Sequence, residues 1–428
     1  MPPSTVSEPF SPPLDRLRAG LLHAGRWCAV ASLFAAPLNK PATNIAIGLS
    51  LLLSLLGTDV RPRWQAAVSQ PVVRGALAWW VVLMLSALHA WYLTSQFPSL
   101  GTFVWACWYP LLFASLLTTR MWRHRAFIAF CLAVGLVMLV SYGMGAGLIP
   151  QRELVASVPA MRNTVFKEYT QQGLSTLIFA AMALAFGMDS PKRSVKATLY
   201  ALALIAVANV VWMLESRTTY VTLIPLLVFW AWRLLAREQP TWKAFAGTCV
   251  LVPAAVAVLV SVPPVRERLL QSVSRETALY LNDHQPTATG IRLELWQHTV
   301  PIIESAPVFG HGLDQWEPLY LQTLSPARAG SGFVMGHPHQ EMLLILAEQG
   351  AAGLLVYLAL LGALAFYVLR LEPPERDFYI SLLLVYLTAG LANCLWADFT
   401  HRHVFMLLLC CIPPAKTRPR ALRTHAPG

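Results

Sequence analysis

Gly336-His337-Pro338-His339-Gln340-Glu341 runs straight into MLLILAEQGAAGLLVYLALLGALAF, residues 342–366. A bilayer-spanning helix needs about 20 mainly apolar residues, and this run supplies them. Two histidines and a carboxylate stand directly ahead of it, where a membrane helix meets water. Reactive polar groups in that position point to chemistry at a membrane surface.

The composition agrees with that reading. Of the 428 residues, 56% are hydrophobic and only 12% are charged, against roughly a quarter charged in soluble domains. Mean hydropathy is +0.53. Strand-sized alternating segments are lacking, so the fold class expected is an all-α integral membrane bundle rather than a barrel. Apolar runs lie near 24–38, 43–57, 72–94, 101–118, 124–147, 171–188, 195–214, 218–235, 244–262, 351–369, 378–396 and 402–414, about twelve spans in all. The formal charge of +11 would hint at nucleic acid in a soluble protein. Here the positive-inside rule accounts for it.

With the N-terminus in the cytoplasm, every inner connection is basic: Arg16 and Arg18, Arg61 and Arg63, Arg120 and Arg123, Lys192 and Arg193, Arg233 and Arg237, Arg370 and Arg376, Lys416 and Arg418. The short outer connections hold a single lysine, Lys40. The expected organisation is a disordered cytoplasmic tail over 1–20 without a cleavable signal pattern, spans one to nine over 21–262, a periplasmic helical loop over 263–350, spans ten to twelve over 351–414, and a cytoplasmic tail over 415–428. The seven cysteines all fall in apolar runs and read as buried free thiols. No P-loop or dinucleotide fingerprint is present, and the spans are nearly free of acids. Both features argue against nucleotide-driven or ion-coupled transport.

The segment 263–341 is the only sizeable polar region and is too long for a structureless connector. VPPVRERLLQSVSRETALYL reads as a helix entered through prolines. TGIRLELWQHTVPIIES reads as a second, with Leu293, Trp296, Val300 and Ile303 at helical spacing. APVFGHGLDQW is a Gly-rich turn, and SPARAGSGFVMGHPHQ is irregular. QEMLLILAEQG reads as a separate helix at the interface, because the run from Ala351 can span without it.

Three readings of the histidine stretch stay open on residues alone: hydrogen-bonded loop histidines, a general base with its partner, or a metal site formed by His337, His339 and Glu341. Arg217 sits in the tight turn Glu215-Ser216-Arg217-Thr218-Thr219 between two spans. Its planar fork suits phosphate oxygens, while a pair with Glu215 or snorkelling would be structural. Arg292, with Glu294 and Trp296 beside it, reads by itself as a surface arginine, and Arg266, Arg268, Arg275 and Arg328 are weaker candidates still. Together the arginines of the loop could line an anionic site.

In this order the residues resemble the O-antigen ligase and polymerase superfamily. The pieces that carry the resemblance are Ser216-Arg217-Thr218, the arginine-opened helix with Arg292 and Trp296, the turn Pro307-Val308-Phe309-Gly310-His311-Gly312, and His337-Pro338-His339-Gln340 leading to Leu343, Glu348, Gly350 and Gly353. Gln340 departs from the asparagine common in the family, and both offer an amide. The ligases of Gram-negative bacteria are the nearest resemblance. It implies transfer of an O-antigen glycan from undecaprenyl diphosphate to a sugar hydroxyl of lipid A–core, at the periplasmic face of the inner membrane. The implied enzyme is an inverting glycosyltransferase in lipopolysaccharide biosynthesis that needs no metal or other cofactor. Its partners are the two lipid-linked substrates and membrane lipids, with no nucleic acid.

The resemblance makes His339 the base, with His337 orienting it or touching substrate. Arg217 and Arg292 bind the diphosphate, with Glu215, Trp296 and Glu341 in support. The residues agree with such chemistry, because a histidine can take the hydroxyl proton and arginines can stabilise charge on a leaving diphosphate. An O-antigen polymerase or a protein O-oligosaccharyltransferase would carry similar motifs, and a lipid or solute transporter is the alternative outside enzymes.

Overall fold

Prolines open several helices rather than break them. The ring presets a helical φ, and the missing N–H falls where no intrahelical acceptor exists. α1 (Pro12–Ala35) starts on such a residue, α2 (Lys40–Leu56) carries Pro41 in its first turn, and α4 (Pro71–Thr94) starts on Pro71. The computed structural model describes residues 12–151, 163–283, 287–325 and 335–414. The expected tail over 1–20 is therefore corrected: from Pro12 onward the chain is already helix, with Asp15 in the first turn where the helix dipole favours an acid. Residues 1–11, Arg328 and the tail 415–428 lie outside the described residues.

The other helices that matter are α3 (Val60–Val68), α5 (Ala106–Leu116), α6 (Arg120–Gly145), α7 (Tyr169–Asp189), α8 (Arg193–Leu214), α9 (Arg217–Glu238), α10 (Thr241–Ser261), α11 (Ser272–Asp283), α12 (Ala288–Ser305), α13 (Trp316–Thr323), α14 (Glu341–Val368), α15 (Glu375–Gly390) and α16 (Phe399–Leu409). No strand occurs among the described residues. Each apolar run read from the sequence contains helix, although the run 378–396 leaves it after Gly390. Seven helices, α4, α6, α7, α8, α9, α10 and α14, are long and apolar enough to cross a membrane, as a multi-pass membrane protein requires.

Burial ranks these helices. The apolar window of α7 is 89% buried and that of α10 only 11%, so α7 is the central post and α10 lies outside. The main core joins Leu33, Phe130, Leu177, Leu223, Phe378 and Leu408 from α1, α6, α7, α9, α15 and α16. Phe245, Val250 and Leu251 of α10 stay exposed, as lipid-facing side chains do. Cys249 is exposed beside them, which corrects the reading of every thiol as buried. All seven cysteines are free.

α14 is two helices. Gly350 has φ 65° and ψ −170°, a backbone region essentially restricted to glycine. The break separates Glu341–Gln349 from the apolar stretch that follows, as the sequence suggested. It also exposes carbonyls on one side and N–H groups on the other. The turn 307–312 satisfies both: His311 and Gly312 donate to the Ala347 and Glu348 carbonyls at 2.9 and 2.8 Å, while Ala351 and Ala352 donate to Pro307 and Val308 at 2.9 and 3.0 Å. A Cβ on Gly350 would meet the Val308 carbonyl at 2.4 Å, and one on Gly310 (φ 67°) would meet that of Glu348 at 2.5 Å. The two glycine motifs therefore interlock.

The buried stripe of α12 is Leu295, Thr299 and Ile302, while Val300 is 45% exposed. This corrects the face expected from Leu293, Trp296, Val300 and Ile303. Thr299 is hidden because its hydroxyl accepts from the Trp316 indole of α13 at 3.0 Å. α13 itself gave no sequence signal that was read.

Candidate active site

The arginine side of the site starts from two local irregularities. α8 ends in a π turn at Val210–Leu214, and Glu215 then takes φ 44° before Ser216 caps α9. A second π turn, Glu267–Gln271, leads into α11. Such turns redirect side chains and recur at functional sites. Here they clasp each other: Arg217 Nε donates to the Arg268 carbonyl at 2.9 Å, and Arg268 Nε donates to the Glu215 carbonyl at 3.2 Å.

Every nitrogen of the Arg217 guanidinium is engaged. Both terminal nitrogens donate to the Glu276 carboxylate of α11, and Nη1 also donates to Thr289 Oγ1 at 2.9 Å. The carboxylate partner of Arg217 is thus Glu276, and the pair with Glu215 weighed from the sequence is corrected. Glu215 lends only its carbonyl. Thr289 donates to Glu276 from both its amide and its hydroxyl, at 3.0 and 2.8 Å. Burial raises the Glu276 pKa, but the bonds from Arg217 and Thr289 outweigh it and hold the carboxyl below the ordinary range.

One stripe of α12 connects this cluster to the histidines. Thr289, Arg292 and Trp296 follow at spacings of three and four, so they share a face. Thr289 ends on Glu276. Trp296 Nε1 donates to the Pro338 carbonyl at 3.0 Å, which ties the helix to the segment between His337 and His339. Arg292 lies between them. Its Nε is buried and has no hydrogen-bond partner among the described residues. Burial lowers its pKa and repulsion from Arg217 adds to this, while Tyr169 and Glu276 act in the opposite direction. The sequence reading of a routine surface arginine does not hold: this is a half-buried cation whose hidden Nε has unused donor capacity.

His339 has φ 52°, uncommon outside glycine. Gln340 follows as the cap of α14, its side-chain oxygen accepting from the Leu343 amide, so the amide at that position keeps a capping role. The His337 and His339 rings meet edge to face with centroids 4.5 Å apart. His337 Nδ1 accepts from the His339 amide at 3.3 Å, leaving its proton on Nε2. The His339 Nδ1 is buried without a partner among the described residues. Burial, then His337 and Arg292, push the His339 pKa down to about 3. Burial also lowers that of His337, opposed by the charge of Asp398. Both rings are neutral near pH 7.

Glu341 does not join them. It is buried at 2% exposure, and its carboxylate accepts from the Trp396 amide at 3.0 Å. It ties α14 to the chain before α16. The trio His337, His339 and Glu341 therefore does not converge, and among the described residues no three His, Cys, Asp or Glu side chains group as metal ligands.

Three participants were not read from the sequence: Glu276, Thr289 and Asp398. The first two lie 59 and 72 residues from Arg217, and no periodicity links them to it. Asp398 left a usable trace, since an acid just before an apolar helix is an N-cap signal. It accepts from the His401 amide at 2.9 Å and from the Gln171 side chain of α7.

A half-buried neutral imidazole, a guanidinium with spare donors and a second, carboxylate-held guanidinium are thus strung along one stripe of α12. The set can accept a proton and stabilise an anion. Residues 201–358 match the family model described as O-antigen ligase, consistent with a member of the O-antigen ligase superfamily. No curated protein matches the chain. The matched stretch contains Arg217, Glu276, Arg292, His337 and His339 and ends before Asp398.

Proposed function

We propose that this chain, with its O-antigen ligase family match, is a glycosyltransferase of the periplasmic face of the inner membrane. It transfers an O-antigen glycan from undecaprenyl diphosphate to a sugar hydroxyl of lipid A–core. The observation that carries the reading is the α12 stripe: it joins a half-buried arginine with unused donors to a half-buried, uncharged histidine. His339 takes the acceptor proton as the hydroxyl oxygen attacks the anomeric carbon. The bond to the diphosphate breaks on the opposite face, so the configuration inverts. The electron pair leaves with the diphosphate, and Arg292 receives that charge first. Arg217 joins when the diphosphate replaces Glu276 on its guanidinium. Preset cations in a site of low dielectric are worth far more than in water, so arginines can do here what a divalent ion does elsewhere.

Lipid-bound anion near Arg292 also raises the basicity of His339, because the two groups repel each other when both are charged. The base becomes competent as the donor binds. About twelve spans, both termini in the cytoplasm and the segment 263–341 outside complete the arrangement. The test is incubation of the protein in nanodiscs with lipid-linked glycan and lipid A–core. Glycan on lipid A–core, formed in the presence of a chelator, is the expected product. Longer lipid-linked glycan without transfer would mean a polymerase, glycan on a protein hydroxyl an oligosaccharyltransferase, and movement across the bilayer without a new bond a transporter.

A further inference from the structure

Lys40 is the lysine that departs from the positive-inside pattern of the short connections. It is also badly placed for its own helix: it opens α2 just after the Asn39 cap, where the dipole disfavours a cation. Its ammonium lies 5.6 Å from the centroid of the Phe399 ring. Lys167, just ahead of α7, brings a second ammonium to 5.8 Å from the same centroid. The ring stacks on His403 at 3.8 Å and 22°, and His403 is itself held by the Phe399 carbonyl and by Tyr109 Oη at 2.7 and 3.0 Å. Two cations thus converge on one fixed point at the amino ends of α2, α7 and α16, all three of which are positive.

Neither lysine has an ion pair among the described residues, and the exposed Glu168 beside Lys167 makes none with them. Asp398 attracts Lys167 but is occupied by Gln171 and His401. Burial and then Lys40 push the Lys167 pKa down to about 8, as expected where a counter-ion is wanting.

We infer that Lys40 and Lys167, converging over Phe399, form a second anion site, which takes a phosphate or carboxylate carried by a sugar of the acceptor. The inference rests on the transferase reading. Trp396, three residues before Phe399, donates its amide to Glu341, two residues after His339, so one short segment ties this site to the histidine stretch. The donor diphosphate is assigned to the arginines of α9 and α12. A second anionic group in reach of the base therefore belongs to the acceptor, and it would hold that molecule with its hydroxyl toward His339.

The test compares the wild type with Lys40→Ala/Lys167→Ala and Lys40→Arg/Lys167→Arg in nanodiscs. The acceptor is a glycolipid phosphorylated on its sugars, used as such and after phosphatase treatment. Removing two charge-assisted contacts should raise the KM for the phosphorylated acceptor about tenfold. The donor KM should stay put, the arginine pair should restore most of the loss, and the variants should not differ on the dephosphorylated acceptor. Binding of the same two glycolipids, measured without donor, should show the same difference, so the inference can be judged even if transfer itself is not observed. Each comparison is made in zwitterionic and in anionic bilayers. A lysine effect seen only in anionic bilayers and with either glycolipid would assign the site to a lipid headgroup and overturn the acceptor assignment. An unchanged acceptor KM and affinity in the double alanine variant would overturn the site altogether.

Discussion

Arg217 and Glu276 supply the sharpest test, because the proposed role of the arginine requires it to leave a partner it already has. The pair is mostly shielded, with side chains 13% and 16% exposed. Removing one member of a buried pair costs about 3–5 kcal/mol. Arg217→Ala leaves the carboxylate with both Thr289 bonds, which brings the expected loss of stability to about 2–3 kcal/mol. Glu276→Gln keeps the shape and leaves the guanidinium on Thr289 and the Arg268 carbonyl, for a loss of about 2 kcal/mol. The double variant should fall short of additivity by about 1–2 kcal/mol.

Function should split differently. Arg217→Ala should raise the donor KM and lower kcat, and Arg217→Lys should recover only part, since an ammonium cannot replace the fork. Glu276→Gln should instead lower the donor KM, because the diphosphate no longer competes with a carboxylate. The sign with pH is fixed as well. Glu276 is held below the ordinary carboxylate range, so its stabilisation is present above the unfolded value near 4.3 and is lost as pH falls through the lowered value. The stability gap between wild type and Glu276→Gln should close on acidification. Thermal unfolding in nanodiscs and initial transfer rates measure both halves. A Glu276→Gln variant with wild-type stability and an unchanged or higher donor KM would refute the exchange.

His339→Ala should lose about 10²–10⁴-fold in transfer while still binding the donor, and His337→Ala should lose less; a dead His337→Ala beside a near-normal His339→Ala would reverse the roles. Because the His339 pKa is pushed down to about 3, the acid limb of kcat/KM should lie below the ordinary histidine value near 6.5, and that of kcat should lie higher once the donor is bound. Its contribution to stability is present above about 6.5 and is lost as pH falls toward the lowered value, a slope that His339→Asn should flatten. Gly350→Ala should prevent accumulation of folded protein, since its Cβ would meet the Val308 carbonyl at 2.4 Å at φ 65°, whereas Gly48→Ala and Gly362→Ala, with nothing within 4 Å, should be tolerated. Cysteines introduced at Ser190 and Pro373 in a cysteine-free background should resist an impermeant thiol reagent in spheroplasts while one at Ser331 reacts; the opposite pattern would invert the orientation.

The helices were legible because lipid leaves the backbone little choice. With no water to satisfy N–H and C=O groups, each apolar run must close its own hydrogen bonds, though the run 378–396 leaves the helix well before its end. Gly350 was legible for a related reason: an apolar run that can span without its first turn invites a break at the glycine between. What the run did not reveal was the face of α12. Periodicity favoured Leu293 and Val300, but Thr299 went inside, because the Trp316 indole satisfies its hydroxyl. A polar residue reads as surface until its partner is known, and α13 was not anticipated.

The same limit explains the site. His337, His339 and Arg217 stood out because each lies beside an apolar run, where a polar group is conspicuous. Arg292 lay among other polar residues, and only folding revealed that its Nε is buried without a partner. Glu276 is harder still. Its sequence neighbours are those of an ordinary surface helix, and its importance comes wholly from Arg217, which reaches it across the π turns of Val210–Leu214 and Glu267–Gln271. Those turns shift the helical phase by one residue, so spacing rules applied through them point to the wrong side. A charge that has no partner in its own segment can announce a site, but the identity of the partner belongs to the tertiary structure. In the proposed transfer that partner decides when Arg217 is free to hold the diphosphate.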